Sequence, residues 1–171
     1  MHKIIYFLII HILISMNVSA KEPDMAILNN VYSNTAQLFS IGNYSFHCEP
    51  YGVITLDSLY NNKSINSSCK KSIENIYKKQ PYLRYFTDEL LSIKQNYHIE
   101  FNDNKCTLYV RGQITLSELL LKEGLVLLEP SFMDKEYIYV YNKAQKQAKV
   151  NKKGIWSDRT LAICISEMSK D

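Results

Sequence analysis

The stretch Ser117-Glu118-Leu119-Leu120-Leu121-Lys122-Glu123-Gly124-Leu125-Val126 constrains the fold most, together with Ala144-x-x-x-Ala148-Lys149 and Gly154-Ile155-Trp156-Ser157 further on. Thr115-Leu116-Ser117-Glu118 has the S/T-x-x-E form in which a hydroxyl caps the first free amides of a helix. Leu116, Leu119, Leu120 and Leu121 then make an apolar surface too wide for an exposed helix. Gly124 supplies the left-handed residue that ends it. The rest of the chain must therefore provide a core for this helix to pack against. Small Ala144 and Ala148 allow a second helix to come close, and Trp156 anchors the exit.

Upstream, the texture is that of strands. Residues 37–41, 44–48 and 51–56 are β-rich pieces divided by the turn signal Gly42-Asn43 and by Glu49-Pro50. Residues 61–68 read as a polar loop and 69–79 as an amphipathic helix, with Ile73, Ile76 and Tyr77 facing inward. A second helical segment spans 82–91. Residues 94–101 and 106–111 form a strand pair across the turn Asn102-Asp103-Asn104. After Gly124 comes a short buried strand, then a long helix that Asp134 is expected to cap. This order suits an α+β domain, a five-stranded OB-type Greek-key barrel with about three helices.

Residues 1–20 read as a signal peptide: Lys3, an apolar run from Ile4 to Met16, and Val18-Ser19-Ala20 as a cleavage site. The run is shorter than the roughly 20 residues of a bilayer span, so export, to the periplasm or outside the cell, is expected, with no stable membrane span after cleavage. Residues 21–36 are polar enough to predict a loosely held arm or short helix, 37–158 the folded domain, and 159–171 a tail of no assigned type. The formal charge of +3 is too small to imply nucleic-acid binding. Cys48, Cys69, Cys106 and Cys164 contain no CxxC pair, so disulfides are expected ahead of a zinc site, with three pairings open.

From Thr115 to Ser157 the sequence resembles the staphylococcal-nuclease-like (thermonuclease) family: a leucine-rich helix ending in G-L, then A-x-x-x-A-[KR], then G-[IL]-W. The resemblance extends back to about Gly52. It implies the same OB-type barrel. It also implies phosphodiester hydrolysis with a calcium ion held by acidic side chains, a glutamate acting on water and two arginines on the phosphoryl group. Three motifs would carry those groups, and this chain departs from each. Gly52-Val53-Ile54-Thr55-Leu56-Asp57 ends in one acid and lacks both the arginine and the proline-glutamate pair of I-D-x-P-E. Pro81-Tyr82-Leu83-Arg84 has a tyrosine where a helix-starting glutamate belongs. Asn102-Asp103-Asn104-Lys105-Cys106 replaces D-x-x-G-R with a lysine, which lacks the bidentate fork of arginine.

No residue is thus catalytic by motif; the candidates are Asp57, Asp103, Lys105, Arg84 and Arg111, with Asp57 and Asp103 as possible calcium ligands. Calcium is expected only if nuclease activity is retained, and no other cofactor is implied. Lys143, Lys146, Lys149, Lys152 and Lys153 could contact phosphates while Tyr137, Tyr139 and Tyr141 stack on bases. The same lysines also suit a solvated helix end. His98 beside Glu100 could form a general-base pair, and His47 beside Cys48 a thiol site unless Cys48 is oxidised. The expected function is a binding module with a degenerate nuclease site, in the bacterial envelope or outside the cell. Its partner is single-stranded nucleic acid or an envelope protein. An active calcium-dependent nuclease and a disulfide-stapled structural protein are the alternatives.

Overall fold

The computed structural model describes residues 23–63 and 65–168. Strands β1 (Asp24–Ser33), β2 (Ala36–Ile41) and β3 (Tyr44–Cys48) form a meander, and Gly42 takes the left-handed conformation between the last two. Strand β4 (Val53–Thr55) follows, then β5 (Asn96–Asn102), β6 (Lys105–Arg111), β7 (Ile114–Thr115) and β8 (Val126–Leu128). The main sheet runs β3-β2-β1-β5-β6-β7, all antiparallel, while β4 and β8 pair separately. Beyond β3 the chain returns to β6. The Tyr51 amide donates to the Cys106 carbonyl (3.0 Å), the Cys106 amide to the Glu49 carbonyl (2.9 Å), and Pro50 bridges Cys106 in parallel. This contact closes the five strands β1, β2, β3, β5 and β6 into an OB-type barrel.

The arm expected over residues 21–36 is instead largely β1, the central strand of the sheet. Ala26 and Leu28 point fully into the core while Met25 and Ile27 stay partly exposed, the alternation of a half-buried strand. Its asparagines are tolerated because β2 and β5 pair with the backbone on both sides, satisfying groups that side-chain polarity does not report.

Six α-helices occur among the described residues, where about three were expected. Helix α1 (Leu56–Asn61) begins at Thr55, whose hydroxyl accepts from the Ser58 amide, so Asp57 lies in a first helical turn and not at a strand end. Helix α2 (Ser67–Lys79) starts on Asn66, which accepts from the Cys69 amide. A 3₁₀ turn (Pro81–Tyr85) leads into α3 (Phe86–Leu90), and α4 spans Leu116–Glu123 with Thr115 and Gly124 capping it as expected. Helix α5 covers Ile138–Val150. Its start was expected at Asp134. The Asp134 carboxylate accepts from Glu136 and its carbonyl from Ile138, so it closes a turn that precedes the helix. Helix α6 (Arg159–Met168) occupies most of the tail of no assigned type, and the Asp158 carboxylate opens it by accepting from Leu161.

Helices α4 and α5 meet the chain's exit through two glycines. The Gly124 carbonyl accepts from the Ile155 amide (2.8 Å), and a second 3₁₀ turn (Gly154–Ser157) follows. Both glycines have positive φ, and a Cβ at Gly154 would lie 2.3 Å from the Gly124 oxygen. Beside them Lys153 donates to both oxygens of Glu123 at 2.7 and 2.8 Å. The cysteines pair as Cys48–Cys106 and Cys69–Cys164, with Cα separations of 5.6 and 6.1 Å. The first lies at the barrel seam; the second ties α6 to α2. Both fit an oxidising, extracellular location. No helix among the described residues is long and apolar enough to cross a membrane. The expected signal peptide lies outside the described residues.

Gly154→Ala is expected to destabilise the protein by about 2–3 kcal/mol, because the methyl meets backbone that cannot yield; urea denaturation measures it. The Cys48→Ser/Cys106→Ser pair should cost about 4 kcal/mol by loop entropy. An unchanged denaturation midpoint would show that the seam's hydrogen bonds suffice without the disulfide.

Candidate functional site

A cavity of about 530 Å³ with convergent polar groups lies where the β1–β2 turn meets α1, α2 and the first 3₁₀ turn. Asn34, 6% exposed, fixes its geometry. Its side-chain amide donates to the Leu83 carbonyl, its side-chain oxygen accepts from the Thr87 amide (3.0 Å), and its backbone carbonyl accepts from the Thr87 hydroxyl (3.0 Å). The β1–β2 turn is thus bolted to the junction that carries Arg84. Asp57, Arg84 and Asp88 line the cavity with Tyr32, Tyr77 and Tyr85. The Arg84 guanidinium sits 5.2 Å from the centre of the Tyr77 ring. Among the described residues it makes no ion pair within 4 Å with either aspartate. Burial raises the Tyr77 phenol, the Asp57 charge adds to this, and Asn34 and Arg84 oppose it.

Asp103 and Lys105 belong to a different cavity, about 480 Å³, with Tyr51, Asn102, Asn104 and Glu129. Asp103 has φ 53° in the tight β5–β6 turn, a conformation its short polar side chain tolerates. The Lys105 ammonium donates to the Val53 carbonyl (3.3 Å) and lies 3.5 Å from Glu129. It therefore braces β6 against β4 and the chain after β8. Tyr51 donates to Asp134 (3.3 Å), and burial followed by the Asp134 charge raises its pKa. Arg111 is exposed at the end of β6 and lines neither cavity. The fold thus brings Asp57 to Arg84, and Asp103 to Lys105, but seats the two pairs apart. Among the described residues no group of three His, Cys, Asp or Glu side chains gathers as a metal site.

Glu100 is committed elsewhere than to His98. Its carboxylate lies within hydrogen-bonding distance of the hydroxyls of Tyr109 (2.7 Å) and Tyr137 (2.9 Å), which also touch each other, so the two phenol protons are shared over three contacts. His98 stays exposed beside this network. Tyr137 and Tyr141 are buried and Tyr139 is 74% exposed, so only Tyr139 of the three is placed to stack on a base. The lysine row divides as well. Lys153 is paired with Glu123, and Lys149 lies 4.6 Å over the Trp156 ring. Lys143 and Lys146 project from α5 into a shallow groove, and Lys152 lies past its end. With Cys48 in a disulfide, the His47–Cys48 thiol site does not exist.

Sequence reasoning missed Asn34 and Asp88. Ser33-Asn34-Thr35 is a turn signal between apolar runs, but it does not announce a partner 53 residues away. Asp88 lies on a short helix with no motif around it.

A five-stranded barrel closed where β6 meets residues 49–51, with a capped leucine helix packed on it, defines an OB-type α+β protein. More narrowly, the family model described as staphylococcal nuclease homologue matches residues 84–158, so this segment is similar to that family and forms a staphylococcal-nuclease-like domain. No curated protein matches the chain. The matched segment runs from Arg84 to Asp158, so β1, β2 and β3, which complete the barrel, precede it.

The tyrosines generate a pH prediction. Burial, the largest cause, pushes Tyr141 up to about 12, and it also raises Tyr109 and Tyr137. In the unfolded chain a phenol titrates near about pH 10. Because the folded pKa is the higher one, this stability is complete below the unfolded value and is lost as pH rises toward 12. For Tyr141 the loss is about 3 kcal/mol. Denaturation midpoints should fall above about pH 10, with phenolate absorbance from buried tyrosines appearing only on unfolding. Free ionisation in the folded protein would contradict this.

Proposed function

We propose that the protein is an exported binding module built on a staphylococcal-nuclease-like barrel, and that it does not cleave nucleic acid by the family's calcium chemistry. The observation that carries this reading is the separation of its candidate groups: Asp57 and Arg84 in one cavity, Asp103 and Lys105 in another. In-line attack on a phosphodiester needs metal-holding acids and phosphoryl-stabilising cations around one phosphorus. Here Lys105 is held by Val53 and Glu129, and Arg84 rests on Tyr77. The partner sits in the cavity of Asp57, Arg84 and Asp88, whose mixed charges and three tyrosines suit an envelope protein segment with opposite charges. A single strand is disfavoured there, because two carboxylates face one guanidinium.

The calcium-dependent nuclease is the second reading, and one observation favours it: Asp57, Asp88 and Arg84 do share one cavity. Two acids seldom make a good calcium site by themselves. In that case Asp57 and Asp88 would hold the ion and Arg84 would meet the phosphate. The test is incubation of the oxidised protein with single-stranded DNA and RNA in calcium. No cleavage is expected. Turnover abolished by Asp57→Ala or Asp88→Ala would overturn the proposal. Binding of uncut single strands that weakens steeply with salt would assign the partner to nucleic acid instead.

A further inference from the structure

A cavity of about 380 Å³ lies on another side of the domain, where β4, β8, α1, α5, the second 3₁₀ turn and α6 meet. Its walls are aliphatic and aromatic: Ile54, Leu59, Leu127, Leu128, Trp156 and Ile165. Leu59, Leu127 and Ile165 are core residues, so the cavity reaches the hydrophobic core and is not a scattered surface patch. Polar groups enter from α1 and its C-cap, with Ser58 and Asn62, and from α5, where Gln145 and Lys149 stand and Lys149 carries the charge. Gln145 is fixed there because its side-chain oxygen accepts from the Leu128 amide (3.0 Å). Lys149 is fixed by the indole of Trp156, over which its ammonium sits.

The same two residues form the end of the shallow groove that Lys143 and Lys146 line. Spaced three residues apart, Lys143, Lys146 and Lys149 share one face of α5. None of the three has a carboxylate within 4 Å among the described residues. An apolar cavity therefore opens beside a row of unpaired cations, and the two join at Lys149.

We propose that this is a binding site for a free single-chain anionic amphiphile, a fatty-acid-type ligand. Its acyl chain enters between Trp156, Leu128 and Ile165, and its carboxylate rests against Lys149, with Lys146 and Lys143 behind. The volume is at the lower end for small-molecule sites and suits one chain better than the two of a membrane phospholipid. The walls also favour an acyl chain over a nucleobase. They are mostly aliphatic, and Lys149 already covers the indole face on which a base would stack. The site does not depend on the reading of the Asp57 cavity, and either can fail alone.

Trp156 is the only tryptophan, so the site carries its own reporter. The full mature protein would be titrated with monomeric dodecanoate and, in parallel, with uncharged dodecanol. A saturable change in tryptophan fluorescence is expected, with dodecanoate bound about tenfold more tightly than dodecanol. Lys149→Gln should abolish the preference for dodecanoate over dodecanol, read by calorimetry because the substitution itself alters the indole's surroundings. Ile54→Glu, at a half-buried wall position, should weaken both ligands. The absence of saturable binding, or equal affinity for the two ligands, would overturn the proposal. So would displacement of dodecanoate by an oligodeoxythymidylate, which would return the lysines to nucleic acid. Binding to phosphatidylglycerol vesicles without binding of monomers would overturn it in favour of a membrane surface.

Discussion

The closure of β6 onto the chain leaving β3 is the contact on which the other elements depend. An open five-stranded sheet would expose two edges and leave the buried Cys106 backbone without partners. Here both Cys106 groups are bonded, and the Cys48–Cys106 disulfide holds the strands at that point. The segment that makes the seam also positions the helices around the barrel. Ser117 donates to the Tyr51 carbonyl (2.9 Å), which docks α4 on the barrel mouth. The Tyr51 ring meets Phe132 and Tyr137 edge-on, bringing in the approach to α5. Gly52 takes φ +74° with Phe132 packed so closely that a Cβ would lie 2.6 Å from its ring. The chain can then turn into β4 and pair with β8.

The sequence was readable where structure is decided within one helical turn. Thr115, Gly124, the inward leucines of α4 and the close-packing Ala144 and Ala148 all stand where spacing puts them, because caps and faces are local properties. Legibility failed where the deciding partner is far along the chain. Strand β1 looked irregular because its place in the sheet comes from β2 and β5, not from its composition. The cysteine pairing spans 58 and 95 residues and could not be chosen among three. Two unexpected helices do carry local signals: Thr55 three residues before Ser58, and Asp158 three before Leu161.

For the candidate site the same distinction explains the partial reading. Asp57, Arg84, Asp103 and Lys105 stood out individually as the charged residues at places where the family's motifs fall but are not matched. Grouping them requires knowing that the β1–β2 turn reaches the 3₁₀ segment, and that contact depends on Asn34. A buried amide with a donor and an acceptor both engaged specifies geometry as firmly as a salt bridge, without the cost of desolvating a charge.

The five lysines near the C-terminal end of α5 show why counting charges did not identify an interface. Lys153 neutralises Glu123 at the glycine seam, where an ion pair about half shielded from water stabilises the approach of Gly124 to Gly154. Its charge is spent inside the fold. Lys149 is half committed: cation–π attraction holds it over Trp156, yet the residue as a whole is exposed. Lys143 and Lys146 make no ion pair among the described residues. A residue that stabilises the fold is constrained whatever the protein binds, whereas one that does not is free to follow a ligand. The cations that the fold leaves available to a ligand in this row are therefore Lys143, Lys146 and the exposed Lys149, beside an apolar cavity that the charge pattern alone does not reveal.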